Sequence, residues 1–256
     1  LGEFDGRVNI AADPGDLGFL HLGERVHREL LQESVGGPFG QVEVSFLDQF
    51  IDGIDGNLEE DIWSKKPMYK LKEMKTGEKP PFQTTFKTLW DGESESIIFG
   101  VKCWEDNTGN LNSPAKKNDD HTIFSGDVVE ITFETLSHSY YQIAISPDGI
   151  IADLDRPAGD LDKKGKIVTN WSSNAKTATF IGKDFWSLEI KIPVAGNNQA
   201  DILPLDGVAG SEPTQAYPWY FNVGRVRIRD DVKHVFSFNG EGFHLPFKFA
   251  KLIPEK

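Results

Sequence analysis

The chain has 256 residues, of which 38% are hydrophobic and 11% aromatic, so it can bury a substantial core. Its formal net charge is −13 without any basic run, which disfavours nucleic acids and anionic membrane surfaces as partners. No stretch approaches the roughly 20 apolar residues of a membrane-spanning helix. Cys103 is the only cysteine, so an intrachain disulfide is excluded, and its alternating apolar surroundings favour a buried side chain over a reactive thiol.

The first 45 residues differ in pattern from the rest of the chain. Leu22, Val26 and Leu30 fall four apart with charged residues between them, which predicts a short amphipathic helix. The segment Ser34-Val35-Gly36-Gly37-Pro38 ends that helix. We interpret residues 1–45 as an N-terminal extension, or the remnant of an upstream segment, and residues 46–256 as the main domain.

From residue 41 onward, short stretches of alternating apolar and polar residues are separated by turn residues. Asp91-Gly92 lies between two such stretches and indicates a β-hairpin. Many short strands without intervening helices predict an all-β fold, an antiparallel two-sheet sandwich of jelly-roll or immunoglobulin-like type. The predicted strands are 41–46, 84–90, 96–104, 128–133, 140–145, 150–154, 177–181, 186–192, 219–227 and 235–238.

Several unusual segments follow one another in a recognisable order. The turn Ile54-Asp55-Gly56 is followed by acidic residues and Trp63, and Ser125-Gly126-Asp127 leads into a strand with Glu130. Then come Tyr140-Tyr141-Gln142 with a turn at Gly149, the strand Trp186 to Pro193, and Phe243-His244-Leu245-Pro246. In this order, residues 50–253 resemble a family 9 carbohydrate-binding module, a member of the wider DOMON-type superfamily.

The resemblance implies a non-catalytic module that attaches a larger secreted protein, such as a glycoside hydrolase, to polysaccharide, in an extracellular or periplasmic location. Enzyme motifs such as G-x-S-x-G and H-E-x-x-H are absent from the sequence. Two alternatives remain open. One is a haem-binding electron-transfer domain of the same superfamily, for which Met68 or Met74 would have to serve as an axial ligand, although no haem is expected. The other is a structural or adhesion domain without a ligand.

Sugar binding requires a flat aromatic face and polar groups for the hydroxyls. Trp104 ends a strand before a polar segment, and Trp171 lies in a segment of loop composition, so these two are the candidate pair that clamps a sugar. Trp63 and Trp186 belong to motifs typical of core residues. The candidate polar partners are Gln142, Asn222 and Arg225. The alternative for these three is a solvated sheet face, or an internal pair of Arg225 with Glu130 or Asp127.

Acidic loops raise the possibility of a structural Ca²⁺, which the resemblance also implies. Calcium takes several oxygen ligands on flexible turns. The alternative is a solvated acidic surface. The candidate ligands are Asp106, Asp119 and Asp120 in one cluster and Asp153 and Asp155 in another.

Overall fold

The segments of alternating apolar and polar residues form strands, and the apolar face of each strand lies in a shared core. The computed structural model describes residues 41–46, 53–135, 140–156, 171–195, 207–237 and 242–254, which all belong to one unit, residues 37–256. The predicted helix around Leu22 to Leu30 lies outside the described residues. No helix in the described ranges is long and apolar enough to cross a membrane.

The strands are numbered in chain order. They are β1 Gln41–Phe46, β2 Tyr69–Lys70, β3 Lys72–Glu73, β4 Thr84–Asp91, β5 Ser96–Trp104, β6 Val128–Glu134, β7 Tyr140–Ile145, β8 Ile151–Arg156, β9 Lys176–Ile181, β10 Phe185–Ala195, β11 Val208–Ala209, β12 Trp219–Arg227, β13 Val232–Val235 and β14 Ala250–Pro254. One short α-helix, α1, spans Asp61–Ser64, and short 3-10 helices include Thr108–Asn110, His121–Ser125 and Pro246–Lys248.

Two mostly antiparallel sheets form a sandwich. Sheet A has the order β8-β7-β6-β12, after which β14 pairs with the beginning of β12 and β13 with its end. Sheet B has the order β9-β10-β5-β4, and β2 pairs with the beginning of β4. Strand β1 runs parallel to β14 through residues 41–44 and parallel to β4 through residues 45–46, so it joins the two sheets. The predicted boundary after residue 45 falls within this strand, and the division into an extension, residues 1–45, and a main domain, residues 46–256, stays a prediction.

The core lies between the sheets and consists of the inward half of each alternating strand. On sheet A, Ile131, Ile143 and Phe221 point inward, and on sheet B, Phe99 and Ile190 do so. Aromatic rings fill the space between them; Phe86, for example, packs edge to face against Phe221 with ring centroids 5.9 Å apart. The outward half of each strand is therefore left to carry the functional surface.

Each outward face is partly covered by loops. On sheet B, residues 53–64 lie over the strands, and Trp63 forms a small apolar cluster with Leu89 and Ile98. On sheet A, Ile123 from the long β5–β6 connection and Phe243 pack on outward residues such as Val226. On sheet A the polar side chains Glu130, Gln142 and Asn222 are buried beneath the cover, whereas Arg156 and His244 at its edge stay partly exposed.

The predicted fold class, the all-β sandwich, is confirmed, and the predicted strands match closely between β4 and β12. One prediction is displaced: the strand expected at residues 235–238 is β13 at Val232–Val235. The short strands β2, β3 and β11 were not predicted, because two residues are too few to show alternation.

Candidate functional site

A group of polar side chains lies on the outward face of sheet A. Glu130 on β6, Gln142 on β7 and Asn222 on β12 alternate with core residues, so they point away from the core. Thr132 on β6 stands opposite both Gln142 and Asn222 in the sheet register. All four side chains are buried under the loop cover. Buried polar groups on adjacent strands require hydrogen-bond partners, and their pairing defines the site.

Two hydrogen bonds link Glu130, Gln142 and Arg156 into a chain. Gln142 Nε2 donates to Glu130 Oε2 at 2.6 Å, and Arg156 Nε donates to Gln142 Oε1 at 2.6 Å. The amide therefore has one orientation, with its NH₂ toward the carboxylate and its oxygen toward the guanidinium. Arg156 is half-buried at the end of β8, so this chain of side chains runs from the sheet interior toward solvent.

His244 completes the group beside Glu130. Its Nε2 lies 3.7 Å from Glu130 Oε2, too far for a hydrogen bond. Burial, together with the nearby cations Arg156 and Lys233, lowers the pKa of His244 to about 4. Burial also raises the pKa of Glu130 to about 7, although Gln142 and Arg156 oppose the shift. Near neutral pH the imidazole is thus uncharged and the carboxylate is poised between its two forms. We call Glu130, Gln142, Arg156, Asn222 and His244 the sheet A polar cluster.

Two buried nitrogens of the sheet A polar cluster have no hydrogen-bond partner among the described residues: Asn222 Nδ2 and His244 Nδ1. The amide oxygen of Asn222 accepts from the Ser237 N–H at 2.8 Å, which fixes the side chain and leaves its NH₂ unpaired. An unpaired buried polar atom costs free energy. A hydroxyl group of a ligand could accept a hydrogen bond from Asn222 Nδ2. A hydroxyl group could also either donate a hydrogen bond to His244 Nδ1 or accept one from it, according to the tautomer of the imidazole.

An aromatic ring bounds the sheet A polar cluster. A Cβ on Gly224, which stands opposite Glu130, would lie 3.1 Å from carbons of the Phe243 ring. Glycine at this position therefore lets the ring lie directly on the sheet, next to His244 in the chain. The arrangement combines a carboxylate, two amides, a guanidinium and an imidazole with an apolar wall, which suits a ligand with both hydroxyls and C–H surfaces.

The comparisons with known proteins address the fold. No protein-family model and no curated protein matches the sequence. Among solved structures, a candidate carbohydrate-binding protein from Bacteroides uniformis matches with a TM-score of 0.61 at 14% identity, over 84% of this chain and 99% of that chain. Two structures of a family 9 carbohydrate-binding module from Caldicellulosiruptor kristjanssonii also match, each over 84% of this chain and 95% of that chain. The complex with glucose has a TM-score of 0.55 at 13% identity, and the complex with cellotriose 0.54 at 15%.

The fold of the chain is like that of family 9 carbohydrate-binding modules. At these identities the likeness concerns the fold, and the site has to be argued from the residues of this chain.

Within this family 9 fold, the structure does not bring the predicted pair Trp104 and Trp171 together. Trp104 pairs in register with Phe185, the first residue of β10. Trp171 Nε1 donates to the Gly207 carbonyl at 2.9 Å, and the adjacent Val208 pairs with Val194, near the other end of β10. Nine residues of strand separate the two positions along β10, about 30 Å, so the rings cannot clamp one sugar.

The two rings also differ in exposure. Trp171 is 4% exposed and stacks on Tyr141 with centroids 4.6 Å apart, so it is a core residue, contrary to its loop-like sequence context. Trp104 is 37% exposed on the outward face of sheet B. The prediction that Trp63 and Trp186 are core residues is confirmed.

Of the three predicted polar partners, the structure places Gln142 and Asn222 in the sheet A polar cluster and Arg225 elsewhere. Arg225 points into the sandwich, is fully buried and forms an ion pair with Glu105. It also donates to the Thr84 hydroxyl and to the Trp104 carbonyl, both at 3.1 Å. Its two terminal nitrogens are therefore engaged inside the protein, whereas Nε has no partner among the described residues. The expected internal Arg–carboxylate pair exists with Glu105 rather than with Glu130 or Asp127.

The predicted calcium ligands are only partly brought together. Asp106 accepts hydrogen bonds from Arg227 and Arg229, and Asp120 caps the 3-10 helix at Thr122, so both have protein partners. Asp119 and Asp153 are neighbours: burial raises the pKa of Asp153, the Ser173 hydrogen bonds lower it, and the Asp119 carboxylate raises it again. Asp155 lies two residues further along β8. Calcium binding stays a prediction.

Another acidic group, not predicted as a calcium site, consists of Asp55, Glu60 and Glu189. Both oxygens of Glu189 already accept hydrogen bonds, from the backbone N–H groups of Asp55 and Gly56 and from the Trp63 indole at 2.7 Å. Glu189 thus anchors the cover of sheet B. The two methionines considered for haem differ in setting: Met68 is exposed, whereas Met74 packs partly buried beside the Phe243 cluster.

Sequence reasoning did not assign Glu130, Arg156 and His244 to the site. Glu130 and Gln142 each stand at a polar position inside an otherwise apolar strand, a signal that marks an outward or paired side chain. This signal can be seen in the sequence, but the pairing that places β6 beside β7 cannot.

Proposed function

We propose that this chain is a non-catalytic carbohydrate-binding module and that the sheet A polar cluster is its sugar site. The proposal depends on one observation above all: unpaired buried nitrogens of Asn222 and His244 lie on the same sheet face as the Glu130–Gln142–Arg156 chain. Sugar hydroxyls both donate and accept hydrogen bonds, so they complement a set that contains a carboxylate, amide groups and a guanidinium.

The fold supports the same ligand class. Two of the similar structures are complexes of a family 9 module with glucose and with cellotriose. In this chain the sugar would reach the cluster from its partly exposed side, at Arg156 and His244. We infer β-linked glucose oligomers as the first ligands to test.

The absence of catalysis is part of the proposal. Hydrolysis of a glycosidic bond generally requires two carboxyl groups about 5 to 10 Å apart across the bond. In the sheet A polar cluster, as far as the structure describes it, Glu130 is the only carboxylate, and Gln142 and Arg156 hold it in place. Such a module serves by attachment, and we propose that it anchors a larger secreted protein to polysaccharide.

Calorimetric titration of the full chain with glucose, cellotriose and a panel of other neutral oligosaccharides tests the proposal. Gln142→Ala removes the link between Glu130 and Arg156 and should weaken binding about tenfold. Gln215→Ala, which changes an exposed glutamine in another loop, is the matched control and should bind as the wild type does.

His244→Ala is a second variant, for the case that Gln142→Ala does not fold stably. His244 is half-exposed, and its removal leaves the hydrogen bond between Gln142 and Glu130 in place. It should also weaken binding. Failure of the wild type to bind any neutral oligosaccharide, or equal affinities for all variants, would contradict the proposal.

A further inference from the structure

The outward face of sheet B carries a groove that the sheet A polar cluster does not explain. Its volume is about 160 Å³. It is lined by Gly100, Ser187 and Phe185 on the strands and by Asn57 and Glu59 of the cover. Gly100 is needed here, because a Cβ would come within 2.7 Å of Leu58 of the cover. The groove is therefore formed by the way the cover packs on the sheet.

Phe185 in the lining of this groove packs against two exposed aromatic rings. Trp104 and Phe185 pack edge to face with centroids 5.6 Å apart, and Phe180 lies 5.9 Å from Phe185. Trp104 is 37% and Phe180 40% exposed. Buried rings at these positions would serve only as core packing. Because Trp104 and Phe180 are exposed on the strand face, they offer an apolar surface to a ligand.

A lysine is held among these rings without an acidic partner. Lys102 Nζ lies 3.7 Å from the centroid of Phe185 and 4.7 Å from that of Trp104. In the part of the chain that the structure describes, no carboxylate pairs with Lys102. This is unusual in a chain with a net charge of −13, where acids outnumber basic residues.

Further lysines face the same side of sheet B. Lys70 pairs in register with Thr85, which pairs with Lys102, so all three point outward in one row. Lys87 stands in the next outward row, opposite Gly100, and donates to the Trp63 carbonyl. Lys87 and Lys102 thus line the groove, with Lys70 beside Thr85, and the lining contains one acid, Glu59. The acidic group of Asp55, Glu60 and Glu189 lies on the same face, with Glu189 opposite Gly100, so the excess of positive charge is confined to the lining of the groove itself.

We propose that this groove is a second ligand site and that it binds glycans bearing carboxylate groups, that is, uronic acid units. The exposed Trp104 ring receives the C–H face of the sugar, and the Lys102 ammonium, held over Phe185, receives its carboxylate in a charge-assisted hydrogen bond. Because the chain as a whole is acidic, long-range electrostatics oppose a polyanion, and binding requires this local arrangement. The site is independent of the sheet A polar cluster, which lies on the opposite face.

The test titrates the full chain with trigalacturonate and, separately, with cellotriose, at low and at physiological salt. Trigalacturonate binds, more weakly at the higher salt. Lys102→Met reduces its affinity about tenfold, Trp104→Ala also reduces it, and Lys102→Arg retains it. Lys176→Met, an exposed lysine at the far end of the same face, is the matched control and has no effect.

The two sites are distinguished by crossing variants and ligands. Glu130→Gln leaves trigalacturonate binding unchanged, and Lys102→Met leaves cellotriose binding unchanged, so either site can fail alone. Three results would overturn the second site: no saturable binding of trigalacturonate, binding indifferent to Lys102→Met and Trp104→Ala, or equal binding of an oligoglutamate of the same charge. The last result would indicate an acidic peptide as the occupant.

Discussion

Glu130 combines three conditions that rarely coincide in one carboxylate: burial, a strong hydrogen-bond donor and a neighbouring histidine that stays neutral. Burial dominates and raises its pKa to about 7, while the donor Gln142 Nε2 at 2.6 Å favours the ionised form. The nearby His244, whose pKa burial lowers to about 4, adds no charge at neutral pH. The protonation of Glu130 is therefore sensitive to small changes around neutrality.

This sensitivity predicts a pH dependence of sugar binding. As the pH rises through about 7, Glu130 loses its proton, and a carboxylate accepts hydrogen bonds from hydroxyls more strongly than a neutral acid does. The affinity of the wild type for cellotriose should rise several-fold between about pH 6 and about pH 8. Calorimetric titration across this range measures it.

Glu130→Gln provides the control for that pH dependence, because the amide has nearly the same shape and does not titrate. Its affinity should be lower and flat across the same pH range. A wild-type affinity that is also flat, or an unchanged slope in Glu130→Gln, would show that Glu130 does not contact the sugar.

At the scale of elements, the cover of sheet B depends on one glycine. Gly56 has φ +83°, a conformation that side chains disfavour, and a Cβ there would lie 2.6 Å from the backbone of Thr179 on β9. The same segment is held by Glu189, which accepts from the Gly56 N–H at 3.0 Å, and by Ser187, which donates to the Gly56 carbonyl at 2.6 Å. The positive φ of Gly56, its close approach to Thr179 and its hydrogen bonds to Glu189 and Ser187 all depend on this one position of the backbone.

Gly56→Ala should therefore destabilise the fold by about 2 kcal/mol or more, since it adds both backbone strain and a steric clash. Gly53→Ala in the same segment is the matched control: no atom lies within 4 Å of its added Cβ, and its stability should stay close to that of the wild type. Urea unfolding followed by tryptophan fluorescence measures both. Equal stabilities of the two variants would contradict the role assigned to the cover.

The strands were predictable from the sequence where alternation is long, as in β5 and β10, because period-2 burial is a local property. The position of Trp171 was not predictable. Its neighbours have loop composition, but its ring is buried because Tyr141 and the Gly207 carbonyl meet it from distant parts of the chain. The cluster of Glu130, Gln142 and Asn222 likewise depends on the order of β7, β6 and β12, which no local pattern specifies.

For the whole molecule, the sandwich separates two outward faces with different chemistry. The sheet A polar cluster contains one carboxylate, held by an amide and a guanidinium, whereas the sheet B groove has exposed rings and lysines. A core of interlocked aromatic rings keeps the faces apart, and Arg225 with Glu105 closes one end of the sandwich. The molecule therefore presents two separate outward faces, each with a candidate binding surface.

The central claim is that sugar binds on the outward face of sheet A. Backbone amide chemical shifts of the ¹⁵N-labelled full chain, recorded during titration with cellotriose, test it most directly. The account predicts saturable shifts at residues 130, 142, 156, 222 and 244, with little change at Lys102 and Trp104. Saturable shifts confined to other surfaces, or no shifts with any neutral oligosaccharide, would contradict it.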